Sequence, residues 1–227
     1  MTPNRIDHVA LWIPDRKAVA ARVMSIFGVR TLEESDDFTL LGSDMELGKL
    51  TLFDAPGPRE ESQLMHVAFR TPTGEETKDI EVGDPLHLLR MRASDESAPT
   101  DLDHVALRVP NDDSSASHWE QLGFERVESR IEPSARLRLG DSYVELYPGT
   151  ALPTESPLLN HIGLQVDSID PYLDGSAGID LEILETVDAA NSRSVFVQGP
   201  DGVRLEYVEL KPSATGEQRQ PVSAQAT

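Results

Sequence analysis

The segment LDHVALRV at 102–109 nearly repeats IDHVALWI at 6–13, and looser copies follow as LMHVAF at 64–69 and LNHIGLQV at 159–166. A strand with histidine at its third residue is therefore used four times. Recurrence on this scale means that one supersecondary unit has been copied along the chain. The histidines His8, His66, His104 and His161 are separated by 58, 38 and 57 residues, so a pair of units occurs twice. IFGV at 26–29 and LGFE at 122–125 follow His8 and His104 at similar distances, each with a glycine placed to stop a helix.

Within the first copy, 5–13 reads as a strand, 15–27 as an amphipathic helix and 30–53 as three short strands broken by turn residues. This is a βαβββ unit. The order returns at 102–110 (strand), 112–122 (helix, with Asp112 or Asp113 able to cap it) and strands near 125–131, 135–140 and 142–147. A fourth copy has strand 159–166, a helix near 169–175 shortened by Pro171 and Gly175, and strands near 180–187, 193–198 and 203–210. The second copy has lost about a helix and a strand, and the polar, turn-rich stretch 71–85 reads as a loop in their place.

The expected class is α+β, with tandem modules paired into two half-barrel domains at 1–91 and 102–211. Residues 92–101 read as the linker, and 212–227 as a disordered tail with too few apolar residues to fold.

The chain has no cysteine, which removes disulfides, thiolate ligands and cysteine nucleophiles together. Any metal must sit on His, Asp or Glu. Forty acidic against twenty basic residues give a net charge of −20, which disfavours nucleic acid and anionic membranes as partners. No apolar run reaches the roughly 18 residues of a membrane span, and no signal-peptide pattern opens the chain, so a cytoplasmic location is expected. Lysines number only four against sixteen arginines, and such an acidic, lysine-poor surface suits a halophile's salt-rich cytoplasm.

Period-two alternation places His104, Ala106 and Arg108 on one face, with Val105, Leu107 and Val109 packed beneath the helix. The same rule puts Glu145 with Tyr143 and Tyr147, His161 with Gly163 and Gln165, and Glu206 with Arg204 and Val208. A lone histidine on a strand is most often a satisfied core residue. Two imidazoles and two carboxylates at repeat-equivalent positions of otherwise apolar strands make better sense around one cation. His104, Glu145, His161 and Glu206 are accordingly the expected ligands of one divalent Ni, Zn, Fe or Mn ion. In the first half, His8, His66 and His87 stand at matching places, with Thr51 or a neighbour in that of Glu145. They admit either a second site or a decayed, structural half. His118 reads as surface and Trp119 as its packing neighbour.

Taken as a set, the first-strand histidines, YVELYPG at 143–149 and GPDGVRLEYVEL at 199–210 resemble the vicinal oxygen chelate superfamily, which includes glyoxalase I, fosfomycin-resistance proteins and extradiol dioxygenases. The resemblance covers about residues 4–210. It implies the same four ligands, and a complete His/Glu/His/Glu set looks like glyoxalase I, an isomerase acting on a 2-oxoaldehyde–thiol adduct through an enediolate. On that reading a low-molecular-weight thiol is the co-substrate, Glu206 and then Glu145 are the candidate bases, and Arg108 would hold the adduct's carboxylate. Arg108 could equally serve a surface or interdomain ion pair.

Similar dioxygenase sites use two histidines and one glutamate. The extradiol signature is incomplete here: Val195-Phe196 replaces its tyrosine pair, Gly199 precedes Pro200, and no histidine lies in 167–227. Three readings stay open: a metal-dependent isomerase, an iron-dependent oxygenase acting on a catechol-like substrate, and a non-catalytic binder of small molecules. Each takes a small-molecule partner, and each admits a homodimer.

Overall fold

The computed structural model describes residues 2–73, 77–83, 85–128, 135–151 and 154–212. The first module is β1 (Arg5–Ile13), α1 (Arg16–Phe27), β2 (Arg30–Glu34), β3 (Phe38–Gly42) and β4 (Lys49–Asp54). The second is β5 (Leu64–Thr71), β6 (Thr77–Gly83) and β7 (Leu86–Arg92). The third is β8 (Asp101–Val109), α2 (Asp112–Gln121), β9 (Glu125–Val127), β10 (Ala135–Leu139) and β11 (Ser142–Pro148). The fourth is β12 (Leu159–Gln165), α3 (Asp170–Leu173), β13 (Glu182–Asp188), β14 (Ser192–Gln198) and β15 (Arg204–Leu210).

Local chemistry sets these bounds. The Asp15 carboxylate accepts from the Ala18 amide to cap α1, and Gly28 ends it in the left-handed region at φ 69°. Asn111, rather than Asp112 or Asp113, caps α2 by accepting from the Ser114 amide. Stretch 71–85 is not simply a loop, because it contains β6. Val82 of that strand is buried in the core, while the charged residues between its apolar positions mask the alternation in the sequence. The tail from 213 onward, and 129–131 of an expected strand, lie outside the described residues.

The modules do not pair as consecutive halves. One eight-stranded sheet runs β13-β14-β15-β12-β1-β4-β3-β2 and joins the first module to the fourth. The other, of seven strands, runs β6-β7-β5-β8-β11-β10-β9 and joins the second to the third. Residues 92–101 therefore connect two strands of one sheet instead of linking two domains. They are tied down at their end: the Thr100 hydroxyl donates to the Phe27 carbonyl at 2.7 Å, and Asp101 accepts from the Gly48 amide at 2.7 Å. A single apolar core runs through both sheets, with Val19, Val23 and Phe27 of α1 and Trp119 of α2 buried in it. Trp119 meets Phe124 edge-on, as its neighbour His118 faces solvent.

Two antiparallel seams, β1 with β12 and β5 with β8, bring the four histidines together in pairs. Each seam carries two register shifts, and each shift inserts one extra residue immediately before a histidine: Asp7, Asn160, Met65 and Asp103. Such bulges re-aim side chains. Strict alternation would send Asp7 away from His8, whereas the bulge lets both reach the same side.

Candidate metal centre

Opposite each histidine across a seam lies the residue two positions beyond its partner histidine: His8 faces Gly163, His161 faces Ala10, His66 faces Ala106 and His104 faces Ala68. The repeated His-x-Ala/Gly pattern thus has a steric cause, since each imidazole crosses over a small residue. A Cβ on Gly163 would sit 2.4 Å from the His8 ring. Gly163→Val is expected to turn His8 aside and weaken metal binding about 10- to 100-fold, the scale of losing an outer-shell support, with the circular dichroism unchanged. Equilibrium dialysis against Mn(II) would measure it.

The four expected ligands do not converge. His161 and Glu206 belong to the eight-stranded sheet and meet His8, whereas His104 and Glu145 belong to the other and meet His66. Parallel pairing keeps each histidine with its own module's glutamate, β8 with β11 and β12 with β15, but β8 and β12 lie in different sheets. His87 joins neither cluster among the described residues. Register explains this: Glu206 pairs with Gly163, two residues past His161, and the equivalent partner of Ala68 is Leu89. Thr51, opposite Ala10, takes the place that Glu145 takes opposite Ala106. Each sheet therefore retains two histidines and one glutamate.

In the first cluster the three ligand atoms form a nearly equilateral triangle. His8 Nε2 lies 2.9 Å from His161 Nε2, and Glu206 Oε2 is 3.1 Å from each. Bonds of about 2.1 Å at right angles around one ion give edges of about 3.0 Å, against about 3.4 Å for a tetrahedron. The spacing fits three adjacent corners of an octahedron. Both outer ring nitrogens are engaged: His8 Nδ1 donates to Asp7 at 2.8 Å, and His161 Nδ1 to Asn160 Oδ1 at 3.0 Å. Both Nε2 atoms are left facing inward, which is how outer-shell partners orient metal-binding imidazoles. Asp7 is itself held by Lys49, 2 % exposed, whose ammonium donates to Asp7 at 2.7 Å and to the Met45 and Leu47 carbonyls.

These contacts set the charges. Burial opposes ionisation of Asp7, but Lys49 and His8 outweigh it and hold the carboxyl at about 2. Burial likewise disfavours a charged His8, yet Asp7 and Glu206 raise it to about 9. His161 goes the other way, lowered by burial despite Glu206. Glu206 overcomes burial through both imidazoles and lies well below the usual carboxylate range. Without metal, the cluster holds one proton on His8 between two acceptors, and that proton occupies the place of a cation.

The triangle opens onto a cavity of about 620 Å3. Trp12, Phe38, Phe53 and Phe196 line it, and Thr51 and Ser194 supply hydroxyls. None of His66, His104 and Glu145 borders this space. Arg108 does not border it either. Its guanidinium donates to the Ser62 carbonyl, and its amide donates to the Gln63 carbonyl.

The second cluster is looser. His66 Nε2 and His104 Nε2 are 3.0 Å apart, but Glu145 Oε2 stands 3.7 Å from His104. Asp103 accepts from His104 Nδ1 at 2.6 Å, while Met65, the bulge residue beside His66, has no side-chain oxygen to offer. Burial and the neighbouring His104 push His66 down to about 4.

Residues 101–207 match the model of the Glyoxalase/Bleomycin resistance protein/Dioxygenase superfamily. That segment, just under half of the chain, carries the domain of this superfamily, the vicinal oxygen chelate superfamily. The vicinal oxygen chelate fold extends over nearly the whole chain. A "putative dioxygenase" from Bacillus subtilis superposes with a TM-score of 0.71 at 15 % identity, covering 93 % of this chain and 86 % of that one. Glyoxalase I from Zea mays does so with 0.66 at 17 %, covering 90 % and 92 %. The cppA protein of Streptococcus pneumoniae gives 0.58 at 16 %, covering 92 % and 100 %. At these identities the likeness is one of fold. No curated protein gives a significant sequence match. No helix among the described residues is long and apolar enough to cross a membrane.

Proposed function

We propose that this vicinal oxygen chelate protein is a metal-dependent oxygenase, with His8, His161 and Glu206 holding one divalent ion, Fe(II) in the active form. The observation that carries this reading is the three-cornered cluster facing a cavity: two histidines and one carboxylate that leave positions open are the donor set of non-haem iron oxygenases. A fourth ligand, on which an isomerase reading rests, is missing from this corner, where Thr51 stands in place of a second glutamate. The arginine expected to bind an adduct lies outside the cavity.

When bound, the ion would supply Lewis acidity and a site for dioxygen chemistry. The chain's own residues do the rest. Asp7 and Asn160 fix the imidazoles, and Lys49 fixes Asp7. Trp12, Phe38, Phe53 and Phe196 form an apolar wall that suits a flat, ring-containing substrate with two adjacent oxygens. Phe196 meets His161 edge-on at 5.1 Å and closes one side of the ligand ring. The cavity lining includes no tyrosine, and no histidine beyond His8 and His161, so proton transfer in the manner of extradiol catechol cleavage has no counterpart here.

Oxygen uptake decides between the readings. Protein loaded anaerobically with Fe(II) is expected to consume dioxygen with members of a panel of ring-hydroxylated aromatics, whereas the Zn(II) and Ni(II) forms are expected to be inert. Turnover of a hemithioacetal without oxygen uptake would establish the isomerase instead. A cavity that binds ring compounds while showing no turnover in any metal form would establish the binder.

A further inference from the structure

The two clusters descend from the same repeat, yet their carboxylates have different neighbours. Across β14 and β15, Glu206 pairs with Phe196, which carries no charge, and Arg204, stacked on that ring at 4.1 Å, pairs with Glu185 instead of Glu206. Across β10 and β11, Glu145 pairs with Arg136. Arg136 Nε lies 3.2 Å from Glu145 Oε1, and its Nη2 lies 3.6 Å from Asp103 Oδ1, the acceptor that orients His104. The guanidinium is held in place by stacking on Tyr143, 3.7 Å from the ring centre. Tyr147 donates its hydroxyl to Glu145 Oε2 at 2.9 Å, occupying the oxygen that faces the histidines. The residue of the other sheet that corresponds to Arg136 is Leu40, opposite Thr51.

From this juxtaposition we infer that Arg136 is a built-in cation that closes the His66–His104–Glu145 cluster to metal, so that the chain takes one ion although it carries two cognate triads. A guanidinium supplies a fixed positive charge and donors matched to carboxylates, and it cannot be deprotonated within a protein. A divalent ion entering beside it would meet a like charge in a buried setting, where repulsion is screened least. The neighbouring groups agree with this arrangement. Met65 stands before His66 where Asp or Asn stands before each of the other three histidines, and Glu145 is 3.7 Å from His104 where Glu206 is 3.1 Å from its histidines.

The inference rests on the first cluster being the metal centre, and the test separates the two claims. Mn(II) bound per chain is counted by equilibrium dialysis and electron paramagnetic resonance on the full-length protein. The wild type is expected to bind one ion, lost in His161→Ala and kept in His104→Ala. Arg136→Leu, which installs the side chain found at the equivalent place, is expected to bind one more ion than the wild type, and the extra ion is expected to vanish in Arg136→Leu with His104→Ala. If Arg136→Leu does not fold, Arg136→Gln keeps the polarity and is expected to give the same gain. The reciprocal change Phe196→Arg, which places a guanidinium opposite Glu206, is expected to expel the ion from the first cluster.

A folded Arg136 variant with no gain over the wild type would overturn the inference, as would a wild-type ion lost in His104→Ala. A wild type that binds nothing would remove the metal reading of the first cluster. The gain in the Arg136 variant would still be judged on its own, supporting the inference if present and overturning it if absent.

Discussion

His161→Ala is expected to lower divalent-metal affinity by more than about 100-fold, above the 10- to 100-fold typical for an outer-shell partner, and to abolish metal-dependent turnover. His161 supplies one corner of a triangle with 2.9 and 3.1 Å edges, 3 % exposed, with its ring held by Asn160 and packed against Phe196. Alanine leaves two ligands on separate strands, and no other nitrogen donor belongs to this cluster among the described residues. The backbone cost is small, because alanine already occupies the position facing His161 and strand pairing does not involve the imidazole. Isothermal titration with Mn(II), paired with circular dichroism, separates loss of the ligand from loss of the fold. His104→Ala is the matched control and should leave the first centre intact.

Metal uptake at pH 7 is expected to release about one proton per ion. The sign follows from the three ligands. His8 is held up at about 9 by Asp7 and Glu206 against burial, so it is charged at neutral pH in the metal-free protein. His161 is lowered and neutral, and Glu206 is ionised. A metal needs all three without protons, and only His8 has one to give. Apparent affinity should therefore rise about tenfold per pH unit from neutrality up to about pH 9, then level off. Below the lowered titration of His161 a second proton competes, and the dependence steepens. Titration in buffers of different ionisation enthalpy reads the proton count directly. A count of zero at pH 7 would mean that His8 is neutral in the metal-free cluster, contrary to its place between two acidic partners.

Much of this fold is legible in the sequence because the repeat unit is short and its histidine is placed alike in every copy. The strands of the first, third and fourth modules, α1 and α2, and the loss of a helix and a strand from the second module follow from periodicity and turn residues, whereas β6 does not. The pairing of modules does not. Nothing in LDHVALRV or LNHIGLQV says which strand will be its antiparallel partner, since all four copies present similar edges, and joining first to fourth and second to third is decided by tertiary closure. That single choice separates His104 and Glu145 from His161 and Glu206, and gives each pair a histidine from the first half.

The bulges were encoded more visibly. Asp7, Asp103 and Asn160 each precede a histidine with an oxygen acceptor, and this repeated pair is the available signal of an outer shell. Alternation alone assigns those residues to the opposite face. His87 follows Gly83 by four residues as Glu206 follows Gly202, but the β5–β7 register puts Leu89 in the ligand position, a two-residue difference that spacing along the chain cannot resolve. Arg136 carries no motif, and its importance is visible only once Glu145 lies opposite it across β10 and β11.

Crystals soaked in Mn(II), with anomalous diffraction recorded, place the ion without reference to any substrate. One strong peak is expected within about 2.2 Å of His8 Nε2, His161 Nε2 and a Glu206 carboxylate oxygen, the usual range for such bonds, and none between His66 and His104. A peak at the second cluster, or a first cluster that stays without one at saturating Mn(II), would contradict this expectation.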